Sequence, residues 1–198
     1  MPTVIRTPDE TRRSEKARTA ILRAARELLD QRGFQRLTIE GIAGRARVGK
    51  ATIYRWWPSK AAVVMDAVLE AASARIPFPD TGSAREDLRG QIASVIELYT
   101  HTKTGRGIRF LIAESQHDSS LAESLRDRFI ASRRAEAATV FERGIERGEL
   151  RADLDVGVAI DALYGAVYYR LLVSHAPLDS TYVDTLIGQV FPAFAARR

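Results

Sequence analysis

The sequence predicts an all-α fold of about nine helices, with a small N-terminal head followed by a larger helical body. Apolar residues recur at intervals of three and four positions along most of the 198-residue chain, as they do on one face of an amphipathic helix. No alternating pattern typical of β-strands and no hairpin signal competes with these stripes. A segment with two prolines and a glycine, residues 75–83, separates the head from the body.

The first predicted helix follows a polar segment, residues 1–15, which we expect to be a flexible tail. An apolar stripe at helical spacing then runs over residues 17–29, and Gly33 is a natural C-terminal stop. Thr38 is a typical N-cap and begins the second helix.

The third predicted helix lies close behind the second. A four-residue turn over 46–49 ends in Gly49, which can serve as an N-cap. The helix is predicted from Lys50 to about Trp57, because Pro58 disfavours helical geometry at the residue before it. These three helices make up the head.

A fourth helix connects the head to the body. Ser59 is its predicted N-cap, and residues 61–72 carry its apolar stripe. We therefore assign residues 16–75 to the head with its connecting helix, and residues 76–198 to the body.

Five further helices are predicted in the body. They are a fifth helix with a stripe over 88–99 that is broken at 104–107, a short sixth over 108–114, a long seventh from Ser119 or Ser120 to Gly148, an eighth from the cap Asp155 to about Ser174, and a ninth with a stripe over 183–194. No internal repeat is visible.

Charge is distributed unevenly between the two parts. Residues 1–60 carry 14 basic and 6 acidic side chains, whereas residues 61–198 carry 16 basic and 19 acidic ones. A basic head on a slightly acidic body indicates a polyanionic partner for the head. The alternative is a solvent-exposed surface whose charges are unevenly distributed and bind no such partner. Of the 30 basic residues 26 are Arg. Arg makes planar contacts to phosphate and guanine, but a preference for Arg over Lys can also reflect genomic composition alone.

Several classes of protein are excluded by residue type. Cysteine is absent, so there is no disulfide, thiol nucleophile or cysteine metal site, which fits a reducing cytoplasm. No nucleophile elbow, phosphate-binding loop, zincin motif or dinucleotide fingerprint is present. Glu114, His117 and Asp118 lie at a predicted helix end, where such residues are common, and no second half-site accompanies them. We expect no enzyme activity, no cofactor and no metal.

No apolar run approaches 18 residues, and the first 15 residues carry no apolar segment typical of a secretory signal. The sequence therefore predicts no membrane span and a cytoplasmic location.

The most informative stretch is 38–60, which reads TIEGIAGRARVGKATIYRWWPSK. Two short helical patterns, a four-residue turn and a basic, aromatic end are the layout of a helix-turn-helix, here 38–57, whose second helix enters the DNA major groove. Donors and methyl groups near its start can read base edges, and these residues are Lys50, Ala51, Thr52 and Arg55. Predicted phosphate contacts are Thr38, Tyr54 and Lys60. Ile42, Val48, Ile53 and Trp57 are predicted to face inward. Arg6, Arg12 and Arg13 either follow the minor groove or only raise the local charge.

This stretch resembles the N-terminal signature of the tetracycline-repressor (TetR) family of bacterial transcription regulators. The matching residues are Thr38, Ile42, Ala43, Ala46, Val48, Thr52, Ile53, Tyr54 and Lys60, with Trp57 in place of an aromatic Phe. The specific resemblance covers about residues 16–75, and the body agrees in helix count and order. It implies a homeodomain-like three-helix DNA-binding head and a C-terminal ligand-binding and dimerisation domain.

Two residues depart from the family pattern, and Gly49, which stands in place of the usual Ser cap, is one of them. Arg47 replaces the turn glycine, and we expect it to contact DNA, the alternative being a tolerated turn residue. Trp56 stands where members often carry a polar residue. It either donates its indole N–H to a phosphate or packs on the first helix.

The resemblance also implies a dimer interface and an effector cavity. The dimer interface is sought in the last two helices, at Tyr164, Tyr168, Leu171, Leu172, Leu186, Ile187, Val190, Phe191 and Phe194. Candidate cavity residues are Ile96, Tyr99, Phe110, Phe129 and Phe141. For both sets ordinary core packing is the alternative.

The predicted function is thus that of a transcriptional regulator. We expect a homodimeric repressor that binds a palindromic operator in double-stranded DNA and is released by a small apolar or aromatic effector. The alternative is a helix-turn-helix protein without small-molecule control that acts through a protein partner.

Overall fold

A computed structural model of the chain describes residues 8–73 and 75–196, and its regular elements in these ranges are helices, with one isolated bridge between Leu150 and Ala195. The predicted all-α fold is confirmed. The helices are α1 (Pro8–Arg36), α2 (Ile39–Ala46), α3 (Lys50–Tyr54), α4 (Lys60–Ser73), α5 (Ala84–His101), α6 (Lys103–Ser115), α7 (119–146), α8 (Val156–Val173) and α9 (Ser180–Val190).

Helix α1 is longer at its start than the sequence predicts. It begins at Pro8, so the expected tail over 1–15 is too long, while residues 1–7 with Arg6 lie outside the described ranges. Of Arg12 and Arg13 the structure describes only the helical backbone. Gly33 interrupts the helix as expected, with φ 73° and ψ 169°, a conformation that favours glycine.

Helix α3 ends earlier than predicted, at Tyr54 instead of about Trp57. The N–H groups of Trp56 and Trp57 both donate to the carbonyl of Ile53, at 2.9 Å each, so the last turn tightens before Pro58. The chain then passes directly into α4, whose Ser59 Oγ accepts from the Ala62 N–H at 3.1 Å as predicted.

The break between α5 and α6 lies at Thr102, and the break predicted at 104–107 is wrong. Thr102 is extended, and its hydroxyl accepts from the Gly105 N–H at 3.0 Å, which caps α6. Gly105 lies inside α6, where an added Cβ would stand 2.0 Å from the Leu98 carbonyl oxygen. This glycine therefore serves close packing of α6 on α5 and does not form a turn.

Helix α7 is continuous but changes its hydrogen-bond register. It runs from Ser119–Ser124 through a π-helical turn, Leu125–Ile130, into Ala131–Glu146. Its cap is Asp118, and Asp155 caps α8 as predicted. The π turn was not predicted, because π and α turns use the same residue types.

Helix α8 is relevant to the expectation that the chain has no membrane span. By length and composition Val156–Val173 could cross a membrane, with a mean hydropathy of 1.4, although it contains Asp161 and Arg170. This helix packs on α5, α7 and α9. A helix of this kind is weak evidence for a membrane span, since core helices of soluble proteins have the same composition.

One continuous apolar core joins the head to the body. Helix α1 packs on α2, α4 and α6, and α5 packs on α6, α7, α8 and α9. Helix α4 passes between the two parts with Val63, Val64 and Met65 almost fully buried. At their junction the rings of Phe34 and Phe110 lie 6.5 Å apart. The head is thus held against the body by packed side chains.

Candidate nucleic-acid interface

Helix α2 is positioned by its cap and by polar links to α1. Thr38 is exposed, and its Oγ1 accepts from the Gly41 N–H at 3.0 Å. Arg45 donates to Glu27 of α1 at 3.1 Å and to Gln31 at 3.2 Å. Ile42 is fully buried beneath α2. The helix is therefore fixed on both sides, and its N-terminus faces solvent.

The turn between α2 and α3 is a Schellman-type C-cap. The Val48 N–H donates to Ala43 O at 3.0 Å, and the Arg47 N–H donates to Gly44 O at 3.3 Å. Arg47 has φ 56° and ψ 45°, the left-handed conformation that usually calls for glycine. Its side chain is exposed. The cost of this conformation relative to glycine is about 1 kcal/mol.

Helix α3 divides cleanly into an inner and an outer side. Ile53 is fully buried, whereas four residues of the predicted contact set are exposed, namely Lys50, Ala51, Tyr54 and Arg55. Thr52 is half-buried. Gly49 precedes the helix with no side-chain cap, so the first N–H groups of α3 lack a capping partner. The predicted base-reading residues therefore share the solvent side of one short helix.

Lys50 has a partner that the sequence analysis missed. Its Nζ lies 3.1 Å from Oε1 of Glu40, on the first turn of α2, and both side chains are exposed. A hydrogen bond from its own backbone N–H, and then one from Lys50, holds the pKa of Glu40 below its usual value. An ionised carboxylate thus stands beside the predicted reading residues.

The two tryptophans after α3 differ in their surroundings. Trp57 is buried as predicted, and its indole N–H donates to Asp66 Oδ2 at 2.7 Å. Trp56 lies against Trp57, with ring centroids 6.0 Å apart. Its indole nitrogen is buried and has no partner among the described residues. Of the two alternatives for Trp56, a buried N–H favours packing over a phosphate contact, and the ring that it packs on here is that of Trp57.

Lys60 is already engaged within the protein. Its ammonium donates to the Phe34 carbonyl at 2.9 Å and lies 4.2 Å from the centre of the Phe34 ring. It therefore joins the end of α1 to the start of α4, a role that the sequence analysis did not predict. One ammonium has three donors, so a phosphate contact remains a prediction.

The five candidate cavity residues do not line one space. Ile96 lines a surface groove of about 720 Å³ between α5 and the segment before α9. Phe110 lies beside Phe34 at the head–body junction and is not in the centre of the body. The remaining three, Tyr99, Phe129 and Phe141, are almost fully buried in the core. The structure thus favours core packing for these three residues.

A polar cluster missed by the sequence analysis lies between α5 and α8. Tyr164 donates to Gln91 Oε1 at 2.7 Å, and the hydroxyls of Tyr99 and Tyr168 are also 2.7 Å apart. Gln91 is fully buried, and its Nε2 has no partner among the described residues. Burial raises the pKa of all three tyrosines. These tyrosines are consequently neutral hydrogen-bonding groups in an apolar interior.

Most residues predicted for a dimer interface are used within the chain. The hydroxyls of Tyr164 and Tyr168 are bonded to groups of α5, which favours the core-packing alternative for both residues. Four others are buried in the chain's own core, namely Leu171, Leu186, Ile187 and Phe194. Val190 and Phe191 are half-buried, and Leu172 is exposed. Val158, Tyr169 and Val173, which were not among the predicted residues, form an exposed apolar stripe on α8 together with Leu172.

The acidic residues beside His117 take part in other hydrogen bonds. In ranges 8–73 and 75–196 no group of three or more histidine and acidic residues is arranged to hold a metal ion. Glu114 accepts hydrogen bonds from Gln35 of α1 at 3.2 and 3.3 Å, and Asp118 caps α7.

Comparison with known proteins identifies both parts of the chain. Residues 21–67 match the family model described as "Bacterial regulatory proteins, tetR family", and residues 78–190 match "Tetracyclin repressor-like, C-terminal domain". The uncharacterized HTH-type transcriptional regulator YdeS of Bacillus subtilis is 43% identical over 93% of this chain and 92% of its own. Rv1556 of Mycobacterium tuberculosis, described in the same words, is 30% identical over 87% and 84%. The crystal structure of the TetR family transcription regulator SCO0332 is 38% identical, with a TM-score of 0.80 over 91% of this chain and 99% of that one.

Proposed function

The chain belongs to the TetR family of helix-turn-helix transcriptional regulators, which are not enzymes, and we propose that it is a cytosolic repressor that reads a palindromic operator through the outer face of α3. The observation that carries this proposal is the exposure of Lys50, Ala51 and Arg55 beside the buried Ile53. A rigidly packed short helix with exposed donors is what base reading in a major groove requires.

Phosphate contacts would come from the residues that surround α3. Thr38 at the exposed start of α2, Tyr54 on α3 and Lys60 at the start of α4 are the candidates. Arg47 is a further candidate, because its exposed side chain leaves the turn directly before α3. The positive charge of the head supports the same assignment.

The test of DNA reading begins with an operator selected by the protein from a random duplex library. Lys50→Ala and Arg55→Ala should each weaken operator binding about tenfold or more, with a smaller effect on an unrelated duplex. Arg126→Ala, which removes an exposed Arg in the body, is the matched control and should change neither affinity. Unchanged operator binding by both α3 variants would contradict the proposal.

A homodimer would place two heads about one helical turn of DNA, or a multiple of it, apart. TetR-family regulators typically act as dimers, and the exposed stripe of Val158, Tyr169, Leu172 and Val173 supports a dimer contact through α8. Apolar side chains in a row on one helix face are otherwise unfavourable in water. Repression would follow from occupation of the promoter by this dimer.

The effector is the least defined component, and we infer its chemistry from the body. TetR-family regulators bind small-molecule effectors, and the buried Gln91, whose Nε2 has no partner among the described residues, supports a ligand that is aromatic or apolar but carries a hydrogen-bond acceptor. A purely apolar ligand would leave the Nε2 of Gln91 unpaired, at a cost of about 1–3 kcal/mol.

Thermal-shift screening separates this proposal from its alternative. Phenols and aromatic acids should stabilise the protein more than hydrocarbons of equal size, and Gln91→Leu should remove that preference. Screening that finds no stabilising compound, with operator binding intact, would favour a regulator that acts through a protein partner.

A further inference from the structure

One carboxylate on α4 joins the end of the DNA-reading helix to the body. Asp66 accepts the indole N–H of Trp57 on Oδ2 at 2.7 Å and forms an ion pair with Arg128 through Oδ1. Its side chain is mostly buried. The two partners come from different parts of the fold, since Trp57 ends the helix-turn-helix and Arg128 belongs to the π turn of α7.

Trp57 anchors the chain directly after α3. Its side chain is almost fully buried, and its backbone N–H donates to Ile53 O at 2.9 Å. Tyr54 and Arg55 lie between these two anchors. A displaced Trp57 ring would therefore move the C-terminal half of the reading face, because α3 has only five residues and little rigidity of its own.

Arg128 is held on the body side by its place in the π turn. The neighbouring Phe129 is almost fully buried in the core of the body, which fixes this turn. Turns of this kind inside α-helices frequently mark functional positions. Asp66 thus connects the π turn to Trp57, because it contacts Arg128 with one carboxylate oxygen and the Trp57 indole N–H with the other.

We propose that Asp66 is a positioning residue for DNA reading, which sets the orientation of Trp57 and hence of α3 in response to Arg128 of the π turn. Neither Asp66 nor Trp57 needs to touch DNA for this role. The proposal goes beyond the contacts assigned to α3, because it makes operator affinity depend on a side chain of the body.

The deciding variants separate the two bonds of Asp66. Arg128→Gln removes the ion pair and leaves the Trp57 bond, and Asp66→Asn keeps an acceptor for Trp57 but removes the charge that pairs with Arg128. Arg126→Gln is the matched control, because Arg126 lies in the same π turn and pairs with Asp127. All are compared by fluorescence anisotropy on the selected operator and on an unrelated duplex, with circular dichroism as a check of folding.

Arg128→Gln and Asp66→Asn should each lower the ratio of operator affinity to unrelated-duplex affinity about fivefold, and the double variant should lower it no further. Arg128→Lys should restore most of the loss. A purely structural ion pair would reduce the folded fraction and so weaken both duplexes alike, leaving the ratio unchanged. An unchanged ratio would overturn the proposal. So would equal ratios for Arg128→Gln and Arg126→Gln, or a double variant whose loss is the sum of the two single losses. If Asp66→Asn fails to fold, Arg128→Gln decides the question alone.

Discussion

Lys50 and Glu40 are hydrogen-bonded across the outer face of the head, with Nζ 3.1 Å from Oε1. A lysine that reads a base must leave this partner, and the carboxylate that stays behind repels nearby phosphates. Because the pKa of Glu40 is lowered by its own backbone N–H and by Lys50, the carboxylate is charged at neutral pH. We therefore expect Glu40 to oppose DNA binding in general and to favour sequences in which Lys50 gains a base contact.

Glu40→Gln should accordingly raise affinity for all duplexes and reduce discrimination among them. We expect a gain of about three- to tenfold on an unrelated duplex and a smaller gain on the operator. Anisotropy titrations at two salt concentrations measure both. Glu97→Gln, an exposed carboxylate of the body, is the control with the same change of charge. A larger gain on the operator than on the unrelated duplex would contradict this role.

Arg47→Gly separates stability from DNA affinity. Glycine adopts the left-handed conformation at φ 56° without strain, so the free energy of unfolding should rise by up to about 1 kcal/mol. The larger conformational entropy of glycine in the unfolded chain reduces this gain. Operator affinity should fall if the Arg47 side chain contacts DNA. Urea denaturation and anisotropy measure the two effects. A variant with unchanged affinity would show that Arg47 is only a tolerated turn residue.

Lys60→Met tests the double role of that lysine. Loss of the ammonium leaves the Phe34 carbonyl without its donor, so the free energy of unfolding should fall by about 1–2 kcal/mol. If Lys60 also contacts phosphate, affinity should fall equally for every duplex and the salt dependence should become shallower. Lys103→Met, which removes an exposed ion pair with Asp30, is the control and should change stability little.

The head was more predictable from the sequence than the body, for physical reasons. In α2 and α3 apolar and polar residues differ sharply, so helical spacing correctly placed Ile42, Ile53 and Trp57 inside. Helix α8 is apolar nearly all round, and spacing cannot tell which side meets the core. The buried Leu171 and the exposed Leu172 consequently looked alike.

Bonds between distant residues were not predictable either. Nothing in the local sequence pairs Asp66 with Arg128 or Gln91 with Tyr164, because such pairs depend on how helices pack. The break that the sequence predicts at 104–107 is wrong at Gly105, because glycine signals a turn and a close helix contact equally well.

The buried tyrosines predict a loss of stability in alkali. Their pKa values are raised by burial, so the folded state keeps three phenolic protons that the unfolded state loses above about pH 10. Their contribution is present below about pH 10 and is progressively lost as pH rises further, with a limiting slope of about 1.4 kcal/mol per pH unit for each tyrosine between its unfolded and folded pKa. Urea denaturation from pH 9 to 11 should show this slope, and Tyr164→Phe should make it shallower. Identical slopes for both proteins would contradict the burial of Tyr164.

The exposed stripe on α8 predicts which substitutions produce monomers. Leu172→Glu or Tyr169→Glu would place a charge in the proposed contact, where burying an unpaired carboxylate is strongly unfavourable. Light scattering at micromolar concentration should show a dimeric wild type and monomeric variants, and operator affinity should fall with dimer loss, because one head reads few base pairs. Ala113→Glu, on the exposed side of α6, is the matched control and should remain dimeric. A dimer that survives both α8 substitutions would place the contact elsewhere on the body, and a monomeric wild type would overturn the dimer altogether.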